Sequence, residues 1–256
     1  MQQGRRQPTF WGRIDMQLGI GVNLFNRQKE EGVLVRDGLV AEYRFDEGRG
    51  QVLCDYSGNG NHGQLGSTRE ADTNDPLWTP QGLEFDGVDD YVAIKPGLEI
   101  MTLEMWPSPH LIDSENRYPS LFGCGAQSTT DGFIWVLTEP NVHTRLEVQR
   151  QFTGGRNRLT ILNWEDGVEQ LCFTWGDGYG TAYKNGCIEQ QTTYLGDILP
   201  IANKYSRIGT FMGVAYCCDN RIYLVRIYNR ALSPEEVLQN YEWSKTELAK
   251  RGVNLE

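Results

Sequence analysis

The chain has 256 residues, which at a nominal 150 per domain is one large domain or two small ones. Apolar residues make up 39% and charged residues 23%, a globular composition rather than a disordered or fibrous one. A fold of this size buries roughly 70–75% of the surface its unfolded chain exposes, and a net charge of −10 excludes a nucleic-acid binder acting through its whole surface.

Charge is uneven along the chain. Residues 1–36 hold six cations (Arg5, Arg6, Arg13, Arg27, Lys29, Arg36) and three anions, a net of +3. That leaves 18 cations and 31 anions, a net of −13, for the other 220 residues. Residues 1–37 also carry Phe10, Trp11, Ile20, Leu24 and Phe25 with no helical or strand period. Two readings stay open for this arm: a disordered tail, or an anchor that orders on a protein partner through Arg5, Arg6, Phe10, Trp11 and Arg13. Its longest apolar run, Leu18 to Phe25, is broken by Asn23 and two glycines, so no secretory signal is expected. No run of 18 apolar residues exists, and no membrane span is expected.

From residue 37 onward, turn dipeptides punctuate the chain. Asp-Gly occurs at 37–38, 86–87, 131–132, 166–167 and 177–178, and Asn-Gly at 59–60 and 185–186. Between them lie short runs of period-two alternation. In residues 39–45, Leu39, Ala41, Tyr43 and Phe45 share one face while Glu42 and Arg44 point the other way. Similar runs cover 91–94, 101–106, 132–139, 144–150, 158–164, 169–175, 179–186 and 221–229. Many short strands at this spacing predict an antiparallel sandwich or barrel. One helix is predicted over 234–251. Ser233 is its N-cap, Pro234 its first residue and Glu236 the third capping-box residue, followed by Val237, Leu238, Tyr241 and Leu248 at helical spacing.

Six cysteines are too few for a disulfide scaffold in a chain this long. They form no C-x-x-C pair, and the three histidines are far apart, so no zinc site is expected. Buried free thiols are the expectation, with Cys172 and Cys187 left as a pair that could meet across a hairpin.

Four segments carry a family resemblance. They are Gly38-Leu39-Val40-Ala41-Glu42-Tyr43-Arg44-Phe45-Asp46-Glu47-Gly48, then Asp55-Tyr56-Ser57-Gly58-Asn59-Gly60-Asn61-His62-Gly63. Next comes Phe85-Asp86-Gly87-Val88-Asp89-Asp90-Tyr91-Val92, and last Val225-Arg226-Ile227-Tyr228-Asn229-Arg230-Ala231-Leu232-Ser233. Residues 38–243 resemble the laminin-G-like domains of the concanavalin A-like lectin/glucanase superfamily, with these segments in family order. The resemblance implies an antiparallel jelly-roll β-sandwich over 38–256, closed by the C-terminal helix, with residues 1–37 an extended arm outside it.

The loop 55–63 places oxygen-bearing side chains at alternate positions, and Asp86, Asp89 and Asp90 add carboxylates. Such oxygens can converge on one hard cation, and the resemblance implies calcium near these loops; Asp55, Asn59, Asn61, Asp86 and Asp90 are the candidate Ca2+ ligands. Turn capping by the same side chains is the competing reading. Enzymes of the superfamily need two carboxyls on one strand, roughly 5–5.5 Å apart for retention or 6.5–9.5 Å for inversion. The nearest pattern, Glu70-Ala71-Asp72-Thr73-Asn74-Asp75, runs into Pro76 and reads as loop, so no catalytic site is expected. A pyranose ring can stack on aromatic side chains. Trp106, Trp135 and Trp175 lie within strands and at least two are expected in the core, whereas Trp78, Trp164 and Trp243 are freer. Trp78 and Trp164 are the candidate carbohydrate-binding residues.

The sequence therefore predicts a non-catalytic interaction module, mounted by its arm on a phage or virus particle as a decoration or adhesion protein. The alternative is a free carbohydrate-binding lectin or, less favoured, a glycoside hydrolase. The expected partners are a protein assembly and a cell-surface glycan, and the expected location is the virion or the cytoplasm of the producing cell.

Overall fold

The computed structural model describes residues 32–108, 118–125, 131–139, 142–162, 164, 167–201, 205–211 and 216–255. Along them run Leu39–Tyr43 (β1), Val52–Leu53 (β2), Gly63–Leu65 (β3), Leu77–Trp78 (β4), Leu83–Glu84 (β5), Val92–Ala93 (β6), Thr102–Pro107 (β7) and Ser120–Gly125 (β8). There follow Phe133–Glu139 (β9), Val142–Phe152 (β10), Gly155–Ile161 (β11), Leu171–Gly176 (β12), Tyr179–Lys184 (β13), Cys187–Thr193 (β14), Ser206–Ile208 (β15), Arg221–Tyr228 (β16) and the helix Pro234–Lys250 (α1).

The strands form two antiparallel sheets. One has the order β14-β13-β12-β7-β16-β5-β4, with β1 also paired to β16; the other has the order β11-β10-β9-β8-β15-β6-β3-β2. The alternation seen in the sequence decides which side chains face inward. Phe45, Leu103, Met105, Val136, Leu146, Val148, Phe173, Trp175, Val225 and Ile227 belong to one apolar cluster between the sheets. The expected antiparallel sandwich with one C-terminal helix is the fold observed.

Two of the turn dipeptides form tight hairpins with positive φ at both positions: Asp177-Gly178 (51° and 81°) joins β12 to β13, and Asn185-Gly186 (50° and 77°) joins β13 to β14. These hairpins put β13 between β12 and β14, and Cys172 and Cys187 are both free thiols.

Helix α1 begins as its capping residues dictate. Glu236 N–H donates to Ser233 Oγ at 3.3 Å, and Ser233 N–H donates to Glu236 Oε2 at 2.9 Å. Arg230 grips the same Glu236 carboxylate with two hydrogen bonds of 2.7 Å. The helix lies on the outer face of the first sheet, where Trp106, Tyr223 and Leu224 pack with Tyr241 and Leu248. Residues 32–37, counted with the arm from sequence, pack here too. Leu34 and Val35 are buried with Tyr228, Leu232 and Val237. Val35 N–H donates to Asn240 Oδ1 at 3.0 Å, and Tyr228 OH donates to the Val35 carbonyl at 3.1 Å.

This cover changes the meaning of the polar face of β1. Glu42, expected on the face of β1 opposite Tyr43 and Phe45, is fully buried, as are Glu104 and Arg226. Arg226 bridges the two carboxylates at 3.4 and 3.5 Å, between the rings of Trp106 and Trp243.

Candidate functional site

The loop 55–63 turns its polar side chains on the backbone. Asp55 Oδ1 accepts from Glu42 N–H (3.0 Å) and Ser57 N–H (2.9 Å), and Oδ2 accepts from Ser57 Oγ–H (2.8 Å) and Asn61 N–H (2.9 Å). Burial alone would raise the Asp55 carboxyl; these four bonds outweigh it and hold the group below its usual range. Asn59 donates to the Leu39 carbonyl and Asn61 to the Val40 carbonyl, each at 2.9 Å. The loop thus acts as a rung beside β1, capping groups that would otherwise end at a sheet edge.

Asp86, Asp89 and Asp90 lie elsewhere. Tyr43, the bridge partner of Asp55, pairs with Val225, whereas Phe85 N–H and Gly87 N–H bond to the carbonyls of Asn220 and Cys218. Val225 and Asn220 are five residues apart, roughly 16 Å at strand rise. The five candidate calcium ligands therefore divide into two groups. In the second, one carboxylate oxygen from each of Asp86, Asp89 and Asp90 lies within 4.8 Å of the others. Burial, together with repulsion from Asp86, Asp89 and Asp75, pushes Asp90 up to about 7. A groove of about 550 Å3, lined by Asp72, Asp75, Glu84, Asp90 and Arg221 among others, runs beside this trio.

The Glu70–Asp75 stretch is a loop, and its carboxylates hold turns: Asp72 N–H donates to Asp75 Oδ2 and Asn74 N–H to Asp72 Oδ1, both at 2.9 Å. Trp164 corrects its sequence assignment. It is 1% exposed within the inter-sheet cluster, so its ring offers no stacking face. Trp78 is half-buried at the sheet margin, its indole N–H donating to the Gly50 carbonyl at 2.8 Å. Trp106, Trp135 and Trp175 are all buried, but only Trp175 lies between the sheets. The anchor candidates Arg5, Arg6, Phe10, Trp11 and Arg13 lie outside the described residues.

A site that the sequence did not single out lies on the outer face of the second sheet. In β10, Leu146, Val148 and Phe152 turn inward, and Glu147, Gln149 and Gln151 turn outward between two neighbours. Glu147 pairs with Leu137 and Thr160, Gln149 with Trp135 and Arg158, and Gln151 with Arg156. A carboxylate-and-amide row thus runs between an apolar row on β9 and a cationic one on β11.

Hydrogen bonds tie the rows together. Gln149 Nε2–H donates to Glu147 Oε1, Arg156 donates to Gln149 Oε1 at 2.8 Å, and Arg158 Nε lies 3.9 Å from Glu147 Oε1. The apolar side is a ring cluster: Trp135 stacks on Phe211 at 4.9 Å, meets Tyr216 edge-on at 5.5 Å and donates its indole N–H to Ser120 Oγ at 2.6 Å. Phe211 rests on Gly123, where a Cβ would stand 2.4 Å from its ring. Less than a tenth of Trp135, Glu147, Gln149 and Gln151 is exposed, whereas Arg156 and Arg158 are open to solvent. The two exposed guanidinium groups can make directional hydrogen bonds to a ligand, while the amides and rings pack beneath them almost wholly buried. The signal in the sequence was the alternation over 144–150; its neighbours on β9 and β11 depend on register.

No family model matches the chain, and no curated protein matches it. Among solved structures, the receptor-binding domain of the botulinum neurotoxin C/D mosaic serotype is similar over 81% of this chain and 52% of its own, at 12% identity and a TM-score of 0.59. The botulinum neurotoxin serotype D ligand-binding domain, in complex with N-acetylneuraminic acid, is similar over 81% and 51%, at 14% identity and 0.60. Trypanosoma rangeli sialidase is similar over 81% and 33%, at 16% identity and 0.60. The chain spans about half the length of the toxin domains. At these identities the likeness is one of fold, a β-sandwich.

Proposed function

We propose that the chain is a non-catalytic, laminin-G-like glycan-binding module that its N-terminal arm mounts on a larger assembly such as a phage or virus particle. The observation that carries the binding half is the outer face of β9–β11, where Glu147, Gln149 and Gln151 stand between Trp135 and the exposed Arg156 and Arg158. Two solved neighbours are described as receptor- or ligand-binding domains, one of them holding N-acetylneuraminic acid, which supports a binding role. The sialidase neighbour is an enzyme, but the Glu70–Asp75 carboxylates here cap a loop and Glu42 and Glu104 are sealed beneath α1. Neither pair offers an acid and a nucleophile to a sugar.

Calcium belongs to the proposal at Asp86, Asp89 and Asp90, whose mutual repulsion a divalent cation would relieve. Loop 55–63 does not fit that role, since Asp55 is already saturated by its four donors.

An array of host-surface polysaccharides tests the binding reading. The wild type is expected to retain a discrete set of glycans and Gln149→Ala to lose them. Repeating the array on chelated and Ca2+-restored protein reads the metal, with a rise in melting temperature expected on restoration. Silence of the wild type across the array under both conditions sinks the glycan reading, and an unchanged melting temperature sinks the calcium site.

The arm's role rests on the net charge of +2 of residues 1–31 and on its aromatic residues. Removing residues 1–31 is expected to leave the sandwich folded and to abolish incorporation into the particle; normal incorporation would overturn the anchoring role.

A further inference from the structure

We propose that the outer face of β9–β11 takes a sugar bearing an oxyanion, a carboxylate or a sulfate, gripped by Arg156 and Arg158. The inference rests on the glycan-binding reading and specifies its ligand.

Arg156 and Arg158 are two apart on β11, so their side chains leave the same face with Cα atoms roughly 7 Å apart. Each guanidinium carries five N–H donors. Arg156 uses one on the neutral Gln149 carbonyl and meets no carboxylate at ion-pair distance among the described residues. Its ion lies over the Phe133 ring at 5.0 Å. Arg158 has a single long contact, 3.9 Å, to Glu147. Of the two cations only Arg158 reaches a carboxylate, Glu147, and Gln149 engages that carboxylate as well. Partial burial and the neighbouring Arg158 charge lower the Arg156 pKa, the direction expected of an under-compensated cation.

The rest of the molecule makes this local excess harder to read as general surface charge. The chain as a whole carries −10, yet here two positive groups border a recess of amides and rings. A planar carboxylate matches the fork of one guanidinium, and a sulfate spans both. The amides of Gln149 and Gln151 and the rings of Trp135 and Phe133 lie beneath, less than a tenth exposed, so the sugar is held at its acidic group by the two exposed arginines.

The test is calorimetric titration of the full chain with matched pairs: 3′-sialyllactose and 3′-sulfolactose against lactose, and oligogalacturonate against its methyl ester. At least one acidic member is expected to bind tenfold or more tighter than its neutral counterpart. Arg156→Gln with Arg158→Gln is expected to erase that preference, so that acidic and neutral members bind the variant alike. Which member wins distinguishes carboxylate from sulfate. Arg158→Gln alone, at a side chain 59% exposed, keeps the experiment readable if the double variant folds poorly. Equal binding of neutral and acidic members, or a preference that survives both substitutions, overturns the inference and leaves the glycan reading standing. Binding of no member removes both.

Discussion

Replacing Arg226 by alanine will destabilise the sandwich by roughly 3–5 kcal/mol, the cost of breaking a buried ion pair by removing one partner. Arg226 is fully buried between the first sheet and α1. Its Nε lies 3.4 Å from Glu42, and its Nη1 lies 3.5 Å from Glu104 and donates to Ser244 Oγ at 2.9 Å. Without it two carboxylates face each other in a dry layer. Glu42 keeps Arg36 and Arg44 at 3.1 and 3.3 Å, but Glu104 keeps only the neutral donors Asn240 and Gln170.

The effect will depend on pH. Burial pushes Glu104 up to about 7, against the pull of Arg226 that lowers it. A carboxyl whose folded value exceeds its unfolded one favours the fold when protonated, so that contribution is complete below about pH 4.5 and fades as pH rises towards 7. Losing the arginine raises Glu104 further, and the penalty of the variant will therefore be larger at pH 8 than at pH 5. Urea denaturation at the two pH values measures it, and Glu104→Gln added to Arg226→Ala is expected to recover stability at pH 8 and little at pH 5. A loss below about 1 kcal/mol, or one independent of pH, would show that the network is not what holds α1 to the sheet.

The same network marks the limit of what the sequence revealed. Strand positions and α1 were legible because period-two alternation and a capping box are local. The role of Glu42, Glu104 and Arg226 was not, since alternation tells which residues share a face and leaves open whether that face meets water or a helix. Residues 32–37 were misplaced in the arm for the same reason: Leu34 and Val35 are buried by Tyr228 and Val237, far along the chain. Trp164 read as a loop residue and lies in the core, a placement set by tertiary packing that no local pattern encodes. The β10 row was visible as alternation, but placing Trp135 on one side of Gln149 and Arg158 on the other required strand register, which no local pattern encodes.

Asp55→Ala will cost about 3 kcal/mol or more, since it strands four donors that one carboxylate now serves. Asp55→Asn will cost nearly as much. Its amide would keep one acceptor for Glu42 and Ser57 but turn an N–H donor towards Asn61 N–H, where two donors meet. The pH dependence runs opposite to that of Glu104. Asp55 is held below its usual range, so its contribution is present above about pH 4 and is lost as pH falls through the depressed value. The gap between wild type and either variant should therefore be constant from pH 5 to 8 and narrow in the acid limb of a denaturation series. Amide exchange will locate the damage in residues 55–61 and at Glu42, whose N–H donates to Asp55. If both variants stay within about 1 kcal/mol of wild type, the carboxylate is not the hub of the loop. Because all four donors belong to the protein, the cost must be the same in Ca2+ and in chelator, a result that separates turn capping at Asp55 from cation binding at Asp86, Asp89 and Asp90.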